Sequence, residues 1–429
     1  HIEALGAQAG IWGTLSQGLE SWVYPFKAFD SLEVGVIDLS GAFHSIHSEI
    51  QTQTVTPDET SLIFQEEDRQ VGLTFFVPRN SQGGTIRFQT SLPKKMELAF
   101  RFRPVLTPMH LEIDPDYSMR WHADSRAVSF WERERDFSLV FRSKEMTQPE
   151  VLPDGKVLIR LGDREKNSGL ICFSLQPGEP TLARQTVGRM ERDFEALRFA
   201  SKRYYEGLFS RLPSATTPDP MVNQALLWAG ISLDQLRIRN PDLGWGLVSG
   251  YSSSKGSTRP KYAWFFEEPT LTSWPYHRLG LSSHIKESLE FLSRYQRSDG
   301  KTVHEVSQSL KHWPTFFDDF QYAYMHTDGP VYYLVAYGHY LRSTGDAGFI
   351  RSHWDVIRRT YEWCKSKIDP EDGLITIDRG DWGSAESSTD ILKDTQLEAM
   401  WIRALREVAY LAESMGEAEI SAQALILLS

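Results

Sequence analysis

The hydrophobic period of the chain changes once, near residue 185, and such a change requires a fold with a β part followed by an α part. Before that point apolar residues recur mainly at every second position, as in LEVGVIDL (32–39), QVGLTFFVP (70–78) and FSLVFRS (137–143). Alternation of this kind is typical of antiparallel strands with one buried face. At least nine such segments occur without an intervening helical pattern, so the sequence predicts a large antiparallel β-sandwich.

The second half of the chain has helical spacing. Residues 189–212 are rich in charge and predict a linker helix, and the SATTPDP stretch at 214–220 predicts a domain boundary. We therefore predict a β-sandwich domain over 1–187, a linker helix and boundary over 188–216, and a helical domain over 217–429.

Capping residues help to place the helices of the last domain. Gly345 and Gly416 occupy C-cap positions, and Ser283 occupies an N-cap position. Neither a βαβ alternation nor a GxGxxG motif occurs, so a doubly wound nucleotide-binding fold is not expected. The predicted helices span residues 221–238, 270–279, 283–295, 330–343, 349–366 and 395–415, with a last one beginning near 417.

The composition of the chain limits the classes of function that we expect for it. The formal net charge of -11 gives no electrostatic basis for binding nucleic acid. No apolar run approaches the ~18 residues of a membrane-spanning helix. Aromatic residues make up 12% of the chain, which suits either a carbohydrate enzyme, whose rings stack on sugars, or a large aromatic core. The chain starts at His1 without a basic or apolar leader, so both a cytoplasmic protein and one exported after leader removal stay open.

Four segments of the helical domain combine carboxylates with Trp or Tyr at the start of a predicted helix. Long loops of this kind in a compact domain are usually functional. If the four helix starts converge, they enclose an acidic, aromatic-walled pocket of the size of a sugar. The segments are 250–274 with Trp264, Glu267 and Glu268; 300–314 with His304, Glu305 and Trp313; 326–334 with Asp328; and 372–386 with Asp381 and Trp382.

These segments carry a resemblance to a known group of enzymes. The matching stretches are TPDPMVNQALLWAGISLDQL (217–236), YAWFF (262–266), FLSRYQRSDGKTVHEVSQS (291–309), Asp328-Gly-Pro330 and the run from Asp372 to Gly383. They resemble the catalytic domains of amylo-α-1,6-glucosidase (glycogen-debranching) type glycoside hydrolases and, more distantly, glucoamylases, trehalases and processing α-glucosidases. The resemblance implies an (α/α)6 toroid behind a β-sandwich and a linker helix, and an α-glucosidase-like hydrolase with a carbohydrate substrate.

The resemblance also implies an inverting mechanism. In such a mechanism one carboxylic acid protonates the glycosidic oxygen, and a second carboxylate activates water on the opposite face of the sugar. The relatives carry the acid in the loop between the fifth and sixth helices, often as an Asp beside an aromatic residue, which here is Asp381 beside Trp382. An adjacent indole desolvates a carboxyl and favours its protonated form. Asp381 is therefore the predicted general acid, and Asp378 and Glu386 are the alternative acids. If Asp381 is not catalytic, it is expected to cap the following helix.

The chain departs from the pattern of these relatives after Trp-Phe-Phe. It has Glu267-Glu268-Pro269 where they usually carry Gly-Arg-Asp, whose charged side chains hold hydroxyls of the sugar that is cleaved. A changed donor pattern alters substrate choice by orders of magnitude, so the resemblance does not carry glycogen over as the substrate. We expect Glu267 or Glu268 to bind a hydroxyl pair, unless both are solvated charges at a helix start.

A second departure concerns the number of helices. Seven are legible in the helical domain, whereas a six-hairpin toroid has twelve. The relatives place the general base in a late loop that has no counterpart among these residues. Half a toroid exposes apolar surface on its inner helices. We therefore expect a companion chain or a further C-terminal segment to complete the ring.

The remaining candidates are predicted to bind the sugar. The pair His304-Glu305 lacks the second His of a zincin motif, since position 308 is Gln. The resemblance instead implies that the pair binds the sugar. The alternative is that His304 caps the next helix. Trp264, Trp313 and Trp382 are stacking candidates, with core packing as the alternative. Asp328 serves as a helix N-cap or as a sugar ligand.

Two other functions stay open. A phosphorylase on the same toroid needs a basic cradle for phosphate, for which Arg379 and Lys393 are the available cations. A non-catalytic sugar-binding or assembly module is the second. No metal or organic cofactor is implied.

Overall fold

The chain divides into two compact units in a computed structural model that describes residues 1–46, 50–66, 69–93, 96–111, 113, 116–162, 167–251, 265–266, 272–383 and 390–428. The first, here called the β unit, comprises His1–Ser210 with Ile238–Leu243 and Tyr251–Tyr262. The second, the helical unit, comprises Arg211–Arg237, Gly244–Gly250 and Ala263–Ser429.

The β unit contains two antiparallel eight-stranded sheets. Its strands are β1 Ile2–Leu5, β2 Ala9–Thr14, β3 Gly18–Val23, β4 Phe26–Ile37, β5 Phe43–Ser45, β6 Ile50–Val55, β7 Glu59–Glu66, β8 Arg69–Phe76, β9 Gly83–Ser91, β10 Glu97–Pro108, β11 Tyr117–His122, β12 Ala127–Glu132, β13 Phe137–Arg142, β14 Glu150–Val151, β15 Val157–Leu161 and β16 Ser168–Pro177. One sheet has the order β1-β2-β3-β4-β10-β15-β14 with β5 on β4, and the other has the order β11-β12-β13-β16-β9-β8-β7-β6.

One apolar core joins the two sheets and accounts for the alternation in the sequence. Phe29 and Phe102 of the first sheet pack against Phe141 and Phe173 of the second, with ring centroids 4.4 Å apart for Phe102–Phe141 and 5.1 Å apart for Phe29–Phe173. The predicted antiparallel sandwich is therefore present.

The first three strands were not predicted, because both of their faces are buried. Gly10, Ile11 and Trp12 are all buried in succession on β2, so the strand shows no alternation of polar and apolar residues. For the same reason β4 begins at Phe26, several residues before the segment that alternates at 32–39.

A charged cluster lies within this doubly buried part of the sheet. Lys27 is 0% exposed, and its ammonium lies 3.2 Å from both Glu20 and Asp30. The indoles of Trp12 and Trp22 donate to Glu20 at 3.0 and 3.2 Å. Burial alone raises the pKa of Asp30, but the hydrogen bond from Arg103 and the charge of Lys27 outweigh it, so that this pKa lies below its usual value.

Lys27→Met is expected to lower the free energy of unfolding by about 3 kcal/mol or more, because it leaves two buried carboxylates without their ammonium. Lys202→Met, at an exposed helical position, is the matched control and is expected to change that free energy by less than about 0.5 kcal/mol. Urea denaturation measures both variants, and equal losses would contradict the structural role of Lys27.

The linker is two helices, Pro180–Arg192 and Phe194–Phe209, and the prediction of one helix over 189–212 was wrong. Asp193 has φ -101° and ψ 15°, outside the helical range, and separates the two. A polar residue makes this break without Gly or Pro, so the sequence carries no signal for it. The first helix starts with Pro at its N-terminus and packs Ala183, Val187 and Met190 on strand residues.

The helical unit follows the predicted helices with small shifts of their bounds. Gly345 and Gly416 have φ of 69° and 80° and end their helices as predicted. Ser283 lies inside a helix whose N-cap is Leu281, so that cap prediction was wrong. The helices are Pro220–Gln235, Ser273–Arg278, Ser282–Ser293, Phe316–Asp319, Asp328–Thr344, Ala347–Ser352, Trp354–Lys365, Thr395–Met415 and Ala418–Ile426.

Short elements complete the fold. The predicted helix 349–366 is broken at His353 into two. Short 3-10 helices span Leu310–His312 and Gln321–Tyr324, and strands span Arg237–Asn240, Gly244–Leu247, Phe265–Phe266 and Glu305–Val306. Among the described helices, none combines the length and hydropathy that crossing a bilayer requires.

Candidate functional site

Three separate segments of the helical unit meet at the carboxylate of Asp381. The ammonium of Lys301 forms an ion pair with Oδ2 of Asp381, and the hydroxyl of Thr327 donates to the same oxygen at 3.3 Å. Lys301 and Thr327 are buried, whereas the Asp381 side chain is 21% exposed. The carboxylate therefore has two partners on its buried side and keeps access to solvent.

A tight turn places Lys301. The amide of Arg297 donates to the carbonyl of Lys301 at 2.9 Å, and Gly300 between them has φ +102°. A Cβ on Gly300 would lie 2.2 Å from the carbonyl oxygen of Arg359, so only glycine fits both the backbone angle and the space. Nε2 of Gln296 donates to the Gly300 carbonyl at 3.1 Å and also binds the helix Trp354–Lys365, which fastens the turn to that helix.

The loop that carries Asp381 is fastened by its backbone and by a second lysine. The amide of Trp382 donates to the carbonyl of Met325 at 2.8 Å, and the amide of Thr327 donates to the carbonyl of Trp382 at 2.9 Å. Lys367 binds Asp378 at 2.6 Å. These bonds fix both ends of the run from Asp378 to Trp382 and so fix the direction of the Asp381 side chain.

Two stacked imidazoles lie beside this loop. The rings of His304 and His326 are 3.7 Å apart and nearly parallel, at 6°. Nδ1 of His326 lies 3.1 Å from Asp328, and the Trp382 ring contacts His326 edge-on at 5.4 Å. Burial, with the charge of His326 second, holds the pKa of His304 well below its usual value. His304 is therefore neutral and able to accept a hydrogen bond.

Burial also lowers the pKa of Lys301, and the hydrogen bond to Asp381 opposes this effect. Because the ammonium has little access to water, its charge is balanced by protein groups, and Asp381 is the carboxylate in direct contact with it.

The structure brings most of the predicted site residues together. Asp381, Trp382, His304 and Asp328 belong to the cluster above, and Glu305 lies beside His304, with its carboxylate 3.9 Å from Nδ1. The backbone of Phe265–Phe266 pairs with Glu305–Val306. The described residues do not include Trp264, Glu267, Glu268 and Glu386.

Trp313 lies in a different environment. Its ring packs edge-on against Phe316 and Phe320 at 5.2 and 5.8 Å, and its N–H donates to Asp319 at 3.2 Å. It belongs to an aromatic cluster within its own loop, which continues through Phe320 and Tyr322 toward Trp382.

Lys301 and Thr327 were missed by the reasoning from sequence. The one available signal is the Ser-Asp-Gly turn directly before Lys301, which fixes the start of the His304-Glu305 segment. Within the described part of the chain, no three His, Cys, Asp or Glu side chains are grouped so as to hold a metal ion.

Comparisons with known proteins identify solved structures with a similar fold. No family model matches the chain, and neither does any curated protein. Among solved structures it is similar to a bacterial glucoamylase complexed with acarbose, at 10% identity and a TM-score of 0.71, covering 99% of this chain and 65% of that one. The chain therefore shares its fold with that glucoamylase.

A second solved structure also has a similar fold. A family GH92 α-mannosidase from Bacteroides thetaiotaomicron, in complex with mannoimidazole, is similar at 10% identity and a TM-score of 0.53, covering 98% of this chain and 57% of that one. The predicted resemblance to toroid glycoside hydrolases with an N-terminal β-sandwich is confirmed at the level of the fold. The chain spans less than two thirds of the length of either neighbour.

Gly300→Ala is expected to lower the free energy of unfolding by about 3 kcal/mol, because the new methyl group meets the Arg359 carbonyl as well as an unfavourable φ. Gly373→Ala is the matched control, since Gly373 has φ +74° with open space around it, and its expected loss is about 1 kcal/mol. Chemical denaturation compares the two, and equal losses would show that the turn before Lys301 is not tightly packed.

Proposed function

We propose that the protein is a glycoside hydrolase that cleaves an α-linked glycoside or oligosaccharide with inversion, with Asp381 as the general acid. The observation that carries the proposal is the meeting of the segments around 301–305, 325–328 and 378–382 at one partly exposed carboxylate. The fold shared with two glycoside hydrolases supports the class of reaction.

The proposed chemistry needs two carboxyl groups. Asp381 gives its proton to the glycosidic oxygen as the bond to the anomeric carbon breaks, and a carboxylate roughly 6.5–9.5 Å away takes a proton from the attacking water. We propose that this base comes from a companion segment, as the resemblance implies.

Trp382, His304, Glu305 and Asp328 are proposed to bind the sugar. The Trp382 ring is half-buried, and its buried N–H has no acceptor within the described part of the chain, so a sugar hydroxyl would satisfy it. A neutral His304 and the two carboxylates accept from sugar hydroxyls. Trp264, Glu267, Glu268 and Trp313 remain proposals from the sequence.

Exposed apolar residues support a companion segment. Met221 is 75% exposed on the helix Pro220–Gln235, and Ile426 is 71% exposed on the helix Ala418–Ile426. Their neighbours Val222 and Leu425 are 51% and 55% exposed. We propose that further helices, on this or another chain, cover both surfaces.

One of the two cations that a phosphorylase would use to bind phosphate is already paired with carboxylates. Lys393 binds Asp369 at 2.7 Å and Asp372 at 2.6 Å, so its charge is already balanced. Hydrolysis is therefore preferred over phosphate-dependent cleavage.

Asp381→Asn is expected to reduce the hydrolysis of α-linked disaccharides by about 10²–10⁴-fold while sugar binding persists, because an amide cannot donate the proton of an acid. The assay uses a panel of such disaccharides with the full protein, and NMR follows the first anomer released, which is expected to be inverted.

Asp355→Asn is the matched control, at a carboxylate that is 67% exposed and paired with Arg358 and Arg359. It is expected to keep full activity. If Asp381→Asn keeps full activity, the acid role is wrong, and if cleavage requires phosphate, the protein is a phosphorylase.

A further inference from the structure

Asp381 is the proposed proton donor, yet its closest partner is a buried cation. We infer that Lys301 is a positioning residue that, through its ion pair, stabilises the carboxylate that Asp381 becomes when it gives its proton to the substrate. This inference rests on the proposed function, because it concerns the acid of that reaction.

The position of Lys301 is built into the fold. Its side chain is 2% exposed, and its ammonium lies 5.1 Å from the centroid of the Trp363 ring. The turn at Gly300 fixes the backbone from which it extends. A buried ammonium is costly unless a carboxylate balances it.

The other charges nearby are already engaged. Lys367 also lies over the Trp363 ring, 4.9 Å from its centroid, but it binds Asp378. Arg297 binds Asp299 at 2.5 Å. Among the described residues, the titratable or charged groups that face the ion pair or act on its charges are Arg297, Asp299, Cys364, Asp378, Lys367, His304 and His326.

An adjacent ammonium makes a carboxylic acid stronger. When the proton leaves Oδ2 for the glycosidic oxygen, the carboxylate that forms is stabilised by Lys301 and by the hydroxyl of Thr327. Lys301 thus favours proton transfer in the reaction.

Three substitutions separate charge from packing. Lys301→Met removes the ammonium and keeps much of the volume, and Lys301→Arg keeps a cation. Lys365→Met is the matched control, because it removes another lysine that lies over an aromatic ring, that of Tyr361, and pairs with Glu362. In the pH profile of kcat, Lys301→Met is expected to move the alkaline limb up by about one pH unit or more. Lys301→Arg and Lys365→Met are expected to move it by less than half as much.

Infrared spectroscopy tests the same inference without a substrate. The carbonyl stretch of protonated Asp381 is identified as the band that Asp381→Asn removes, and its midpoint is followed with pH in the full chain. The midpoint is expected to rise by about one pH unit or more in Lys301→Met and to stay within half that shift in Lys301→Arg. Circular dichroism checks that each variant is folded, and Lys301→Gln replaces Lys301→Met if the latter is not.

The two proposals fail in different ways. If the infrared midpoint is the same in Lys301→Met and the unmodified protein, the inference about Lys301 is overturned, whatever the activity of Asp381→Asn. A downward shift, or a shift of the acid limb alone, overturns it as well. If the midpoint rises but Asp381→Asn keeps full activity, the inference stands and the acid role of Asp381 is wrong.

Discussion

The ion pair between Lys301 and Asp381 holds the candidate site together. A buried ammonium and a partly exposed carboxylate join a glycine turn to a loop about eighty residues later in the chain. Loss of the carboxylate leaves the buried ammonium unbalanced in a poorly hydrated environment, which is costly. The backbone bonds between Met325, Thr327 and Trp382 then place the stacked His304 and His326 next to the same loop.

Much of the fold is predictable from hydrophobic period and caps. The helix Thr395–Met415 has the predicted bounds, because Gly416 ends it and Asp394 caps its start. The prediction of secondary structure failed where the local sequence carries no pattern for the element or for its end. The strands β2 and β3 bury both faces, so their residues do not alternate, and Asp193 and His353 break helices without Gly or Pro.

The candidate site was predictable only in part. Carboxylates and aromatic residues at helix starts identified Asp381, Trp382, His304 and Asp328, which the fold brings close together. Lys301 looks like an ordinary surface lysine in the sequence, because its burial and its carboxylate partner both come from tertiary structure. Its role follows from contacts that span the helical unit rather than from local spacing.

The crystal structure of the Asp381→Asn variant with an uncleaved α-linked disaccharide tests the central claim most directly. We expect a glycosidic oxygen within about 3.5 Å of the substituted side chain at position 381, with a sugar ring against Trp382. A disaccharide bound in order elsewhere, with the surroundings of position 381 free of sugar, would contradict the acid role of Asp381.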